Sequence, residues 1–290
     1  MINDYYLNIA VMTFIWAALS GSWNLMAGYG GLVSLGQSAF FGIGAYTTAV
    51  LYATFGISPW IGLIAGVVFT TATAVLISWP CFRLRGAFFS LATLVFPIVT
   101  EIIANNWTDV TRGSSGIALP FKPGLRNFIF DSRWAYMAAA FILMMLVYGI
   151  TRWLHRGRLG LYLIAVRDDQ DAAESMGVEP LRVKLQITMI SAALTSMGGF
   201  LYAQYILFLD PPSVFSLNVS VQIALFSLIG GLGTPIGPII GSLLMTPLDG
   251  LLSAFLGGGP RLLIYGAVLL GVVLLAPQGI AGAFKAWRKK

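Results

Sequence analysis

The densest group of chemically capable side chains is Asp168, Asp169, Gln170 and Asp171, with Glu174 three residues further on. Clustered carboxylates can hold a divalent cation against a diphosphate, but that chemistry needs a second acidic cluster to complete the metal shell. Asp4, Glu101, Asp109, Asp131, Asp210 and Asp249 stand singly instead. The one histidine, His155, is flanked by Arg152, Arg156 and Arg158, and Cys81 is the one cysteine. An internal disulfide and a Cys/His metal cluster are therefore excluded. No nucleophile–base pairing is visible, so no catalytic residue is assigned, and no cofactor or metal is expected in this chain. No G-x-x-x-x-G-K-[ST] phosphate loop occurs either, so ATP hydrolysis by the chain itself is not expected. The acids fit a structural use better. Asp168 or Asp169 can cap a short helix of four or five turns, with Asp171 and Glu174 in its early turns. Gly177 suits a left-handed residue just past its end, and Pro180 the first turn of the next helix.

The elements that must carry this segment are dictated by composition. Of 290 residues 58% are hydrophobic and 10% charged, and the mean hydropathy is +0.84. Soluble domains run near a quarter charged. Apolar runs recur that could each cross a hydrocarbon core of about 30 Å, which takes about 20 helical residues. They are near-continuous rather than alternating, which favours helices over a membrane barrel. The expectation is an all-α polytopic inner-membrane bundle, 1–290 forming one transmembrane domain. About nine spans are expected (eight to ten possible), at 7–26, 32–53, 60–81, 87–104, 134–153, 184–208, 214–232, 239–256 and 262–277. "MINDYYLNIA" lacks the basic start of a cleavable signal, so the first span is read as retained.

Lysine and arginine orient the bundle. With nine spans and the N-terminus outside, the inner side receives Arg83, Arg85, six basic residues from Arg152 to Lys184, and Lys285, Arg288, Lys289 and Lys290. Five lie outside: Arg112, Lys122, Arg126, Arg133 and Arg261. The bias predicts a periplasmic N-terminus and a cytoplasmic C-terminus. Two loops are long: an outer one at 105–133 and an inner one at 152–183, which carries the acidic helix. The net charge of +6 reflects these inner loops, and no nucleic-acid partner is expected.

Six glycines fall in the 23 residues of "GYGGLVSLGQSAFFGIGAYTTAV" (28–50), in spite of the poor helix propensity of glycine. Ser34, Ser38, Gly42, Ala45 and Ala49 recur at helical steps and predict a packing face of small residues. The stretch 28–36 is expected to be partly broken or re-entrant, because free backbone groups at membrane depth need protein or water beside them. Gln37, Ser38, Phe40, Gly44, Glu101 and Asn105 are the candidates for lining a path. Glu101 and Asp249 qualify as acids within spans, and a break at Pro247–Gly250 is one reading of Asp249.

Several stretches are similar to one family: "GLVSLGQSAFFGIGAY" (31–46), "TRGSSGI" (111–117), "GGLGTPIGPIIG" (230–241) and "APQGI" (276–280). They resemble the M-type permease of branched-chain amino acid ABC transporters, departing at Ser115, where an acid or amide is common. The inner-loop spacing Asp171-Ala172-Ala173-x3-Gly177 resembles the E-A-A-x3-G loop of binding-protein-dependent permeases, with Asp for Glu. This resemblance implies a helix coupled to an ATPase through Asp171, Ala172, Ala173, Glu174 and Gly177. It also implies a second homologous permease, two ATPase subunits that bind ATP and Mg, and a periplasmic substrate-binding protein, around a chain set in the lipid bilayer. Import of branched-chain or related small amino acids follows. Urea or short amides on the same fold, a membrane enzyme such as a prenyltransferase, and an ATP-independent carrier are the alternatives.

Overall fold

A computed structural model describes residues 2–84, 86–255, 266, 270, 271 and 279–282. The expected span at 262–277 lies outside the described residues except at three positions, as do Arg85 and the basic tail. Helix α1 (Ile2–Asn24) continues as a π-helical turn, Leu25–Tyr29, and is followed by α2 (Gln37–Phe55), α3 (Pro59–Cys81) and α4 (Ala87–Asn106). The 105–133 loop, expected on the outer side, holds α5 (Thr108–Thr111) and β1 (Ile117–Ala118). Next come α6 (Arg133–Arg156), α7 (Arg158–Asp168), α8 (Gln170–Ser175) and α9 (Pro180–Ile206). The chain then runs through β2 (Phe208–Leu209), α10 (Pro211–Phe215), α11 (Leu217–Gly230) and α12 (Gly237–Phe255). This is an all-α polytopic membrane protein. Seven stretches among the described residues are long and apolar enough to span: α1 with its π turn, α2, α3, α4, α6, α9 and α10–α11. The apolar part of α12, Gly237–Leu252, is shorter. This helix runs unbroken through Pro247.

Helices α1, α2, α9 and α11 form the interior, with α3, α4, α6 and α12 around them. The peripheral helices expose branched and aromatic side chains such as Ile64, Leu76, Leu91 and Ile142. Exposed Trp60, Trp107 and Trp134 stand at the outer-loop ends of α3, α4 and α6, and Trp79 and Trp153 at the opposite ends. Two such girdles suit the two interfaces of a bilayer. The outer loop folds back onto the bundle. Strands β1 and β2 pair antiparallel, Ile117 opposite Leu209, and Trp60 Nε1 and Ser58 Oγ donate to the Leu125 and Arg126 carbonyls at 2.9 and 2.8 Å.

Interior packing rests on small residues. A Cβ at Gly199 of α9 would collide with the Phe41 carbonyl of α2, and one at Gly44 would lie 2.6 Å from Ser196 Cα. Gly62, Gly66, Thr70, Ala74 and Ser78 make a buried ridge along α3 with a four-residue repeat. Gly66 meets the Gly44–Ser196 crossing. Bulkier residues at these points would hold the backbones apart, and close approach is what associates helices in lipid.

Candidate functional site

The expected span at 32–53 starts as a helix only at Gln37, so Ser34 does not share a helical face with Ser38, Gly42, Ala45 and Ala49. The cause is local. Gly31 adopts φ +65°, and the backbone of 30–36 finds partners outside any helix. Trp23 Nε1 donates to the Ser34 carbonyl at 2.6 Å and Ser90 Oγ to the Val33 carbonyl at 2.6 Å. The Leu35 amide donates to Thr93 Oγ1 at 3.1 Å. The amides of Gly30 and Leu32 both reach the Met26 carbonyl, at 3.1 and 3.0 Å. A glycine-rich non-helical stretch thus sits between α1 and α4 with several of its backbone groups paired to protein, as irregular backbone at membrane depth requires.

Past this break a seam of buried polar side chains begins. The Gln37 amide nitrogen donates to Ser191 Oγ at 3.1 Å and to Thr195 Oγ1. Its Oε1 is buried with no partner among the described residues. Ser191 Oγ donates to the Ser22 carbonyl at 2.7 Å. The Ser38 amide and hydroxyl meet Ser220 Oγ, each at 2.8 Å, and the Ser38 hydroxyl donates to the Phe215 carbonyl at 3.1 Å. Gln37 and Ser38 therefore tie the start of α2 to α9, α10 and α11, and through Ser191 to α1. Further out, a Cβ at Gly42 would strike the Phe215 ring, and Ala45 and Ala49 are fully buried. Phe40 packs against Phe96 of α4, with ring centroids 6.4 Å apart.

Glu101 and Asn105, both half-buried, stand eight and twelve residues beyond Thr93 on α4, roughly 12 and 18 Å along its axis. The structure does not bring them to Gln37. Four path candidates thus gather on α2, and two stand apart near the outer loop. The ridge on α3 was not singled out from the sequence. Its signal, a small residue every fourth position from Gly62 to Ser78, is as plain as the one on α2.

The 152–183 loop is more compact than expected. Helix α8 has six residues, fewer than the four or five turns anticipated, because only Gln170–Ser175 fit between the Asp169 cap and the turn at Met176 and Gly177; a separate helix, α7, ends just before it at Asp168. Asp169 is the cap: its Oδ1 accepts from the Asp171 and Ala172 amides, each at 3.0 Å. Gly177 adopts φ +86° and Pro180 opens α9. Asp168 accepts from the Arg167 guanidinium at 3.1 and 3.2 Å, so two of the clustered acids serve cap and ion pair. Among the described residues no three His, Cys, Asp or Glu side chains converge to hold a metal. Ala173 is 1% exposed, packed into the chain, whereas Asp171, Ala172, Glu174 and Gly177 face outward. The two alanines therefore differ: Ala173 must be small for this fold, and Ala172 is small on the surface. Lys184 Nζ braces the helix from α9, donating to Gln170 Oε1 at 2.7 Å.

Residues 5–276 match the family model described as the permease component of the branched-chain amino acid transport system. The chain is similar to the high-affinity branched-chain amino acid transport system permease protein LivM of Salmonella typhimurium (strain LT2), at 30% identity over 97% of this chain and 71% of that one. The Escherichia coli (strain K12) LivM is 29% identical over the same shares. The Salmonella typhimurium permease protein LivH is 24% identical over 92% of this chain and 91% of that one. No solved structure matches the chain.

Proposed function

This chain belongs to the family of permease components of the branched-chain amino acid transport system, and from that premise we propose that it is a transmembrane permease subunit of an ATP-driven importer moving branched-chain amino acids into the cytoplasm. The family match across residues 5–276 carries the reading. The N-terminus is periplasmic, the C-terminus cytoplasmic, and the count of nine spans is completed by 262–277. The chain lies in the bacterial inner membrane beside a second, homologous permease. The similarity to both LivM and LivH supports such a pairing. ATP and Mg are bound by two separate ATPase subunits, and a periplasmic binding protein delivers the substrate.

In this reading α8 is the coupling helix. It is short, capped by its own Asp169, braced by Lys184, and presents Asp171, Ala172 and Glu174 outward, so a partner's cleft can grip it without unfolding it. The break at 30–36 and the polar seam at Gln37 and Ser38 belong to the gate. Small polar groups there let α2, α9 and α11 shift against one another while keeping hydrogen bonds.

The test is uptake of labelled leucine by cells expressing the chain with its partner subunits. Ala172→Arg adds bulk and charge where α8 faces outward and touches nothing the fold needs. Membrane insertion should stay normal while uptake is abolished. Unimpaired uptake in that variant contradicts the assignment of α8.

A further inference from the structure

The acidic knob and the broken end of α1 meet through one side chain. Arg167, the penultimate residue of α7, donates from Nη1 to the Gly28 carbonyl at 2.9 Å. Its Nη2 and Nε hold Asp168 Oδ1 at 3.1 and 3.2 Å. Asp169, next in sequence, caps α8. The stem of Arg167 runs beneath the break, so that a Cβ at Gly31 would lie 2.6 Å from its Cγ.

Gly28 sits in the π-helical turn Leu25–Tyr29. Turns of this kind are rare and recur at functional sites. Here the turn is pinned from several directions. Asn24 Nδ2 donates to the Thr234 carbonyl and its Oδ1 accepts from the Gly233 amide, both at 2.9 Å. Gly28 lies so close to the α11–α12 turn that a Cβ on it would be 2.5 Å from the Gly233 nitrogen. On the other side the Tyr29 ring lies 5.2 Å from the His155 ring, and Leu163 of α7 is 3.4 Å from where a Gly30 Cβ would be. The chain then passes into 30–36, which Ser90 and Thr93 tie to α4, and into Gln37.

We propose that Arg167 is the positioning residue that passes movement of α8 to the π-helical turn of α1, and so to α2, α4 and the α11–α12 turn. This rests on the reading of α8 as the coupling helix. Helices α7 and α8 share a single joint at Asp169, and Arg167 lies two residues before it. A displaced α8 therefore either drags the Gly28 carbonyl with Arg167 or breaks that bond. The side chain of Arg167 is 41% exposed, and half-hydrated charged contacts of this sort are weak enough to break and remake. The contact is thus suited to alternate with each ATP cycle, while the fully buried seam at Gln37 stays made.

The experiment uses the complete transporter in proteoliposomes and measures ATP hydrolysis with and without leucine-loaded binding protein, together with retention of the ATPase subunits on purification. Arg167→Ala should keep the ATPase bound, while the ratio of stimulated to basal hydrolysis falls roughly fivefold or more, within the range for coupled sites. Arg167→Lys, which keeps a cationic donor on a long stem, should restore part of the ratio. Gly31→Ala leaves every charge in place but displaces the Arg167 stem, and should lower the ratio as well. A wild-type ratio in Arg167→Ala overturns the proposal. So does loss of the ATPase from that variant, which would make Arg167 a support for the shape of the knob. If the wild-type chain itself retains no ATPase, the coupling reading of α8 falls first and this role with it.

Discussion

The seam between α2 and α9 and the outward faces of α3, α4 and α6 all belong to apolar stretches long enough to span, yet they are built from different residues. In α2 and α9, 61% of the most apolar window is buried, against 28% in α3, 22% in α4 and 33% in α6. The closest crossings of the buried seam use Gly, Ala, Ser and Thr, beside rings such as Phe41 and Tyr202, and the exposed faces use Leu, Ile, Val, Phe and Trp. In water the larger apolar residues would be the ones inside. In a bilayer lipid solvates them as well as protein does, so association depends on how closely backbones approach and on hydrogen bonds between helices. Helix α3 carries both surfaces, with Gly62, Gly66, Thr70, Ala74 and Ser78 inward and Ile64, Val68 and Leu76 outward. One helix thus shows that the rule operates face by face.

The contrast can be broken most severely at Gly199. Its neighbours at the crossing are the Phe41 carbonyl and the Ala45 nitrogen, which cannot rotate away as a side chain would. Gly199→Leu should cost more than about 3 kcal/mol and abolish recovery of folded protein, read by size-exclusion chromatography in detergent. Gln37→Leu should act more mildly, because Ser191 and Thr195 keep other partners in the Ser22 and Ser191 carbonyls. A loss of about 1 kcal/mol is expected in a thermal-stability assay, with a larger proportional loss of leucine uptake if the seam belongs to the gate. Equal, small changes in both would leave Gln37 a packing residue. Leu76→Ala, on the lipid-facing side, should change stability by less than about 0.5 kcal/mol. A Leu76 effect as large as the Gln37 effect would mean that this face is covered by protein.

Much of the fold is legible in the residues because span-forming composition is a local property. The runs ending at Cys81 and beginning at Ala87 need no partner to be recognised, and α3 and α4 begin and end within two residues of expectation. The start of α2 is displaced by five residues for the opposite reason. The glycines of "GGLVSLG" point to a break within 28–36, but not to the residue at which a helix resumes. The backbone of that stretch is drawn out of a helix by Trp23, Ser90 and Thr93, side chains brought there by folding. The inner knob is intermediate: Asp169, Gly177 and Pro180 are recognisable as punctuation, but the joint dividing α7 from α8 is not.

By itself the sequence determined that this chain lives in a membrane, which way its basic loops bias it, where its small residues concentrate and which family it joins. These depend on composition and short-range order, which act before any helix meets another. Only the tertiary structure decided that the first helix runs on to Tyr29 and α2 resumes at Gln37, that Ala173 turns inward while Ala172 faces out, and that Arg167 reaches Gly28. Those outcomes hang on packing and on hydrogen bonds between residues 11 to 210 positions apart. Buried backbone groups must find partners wherever the packed bundle supplies them.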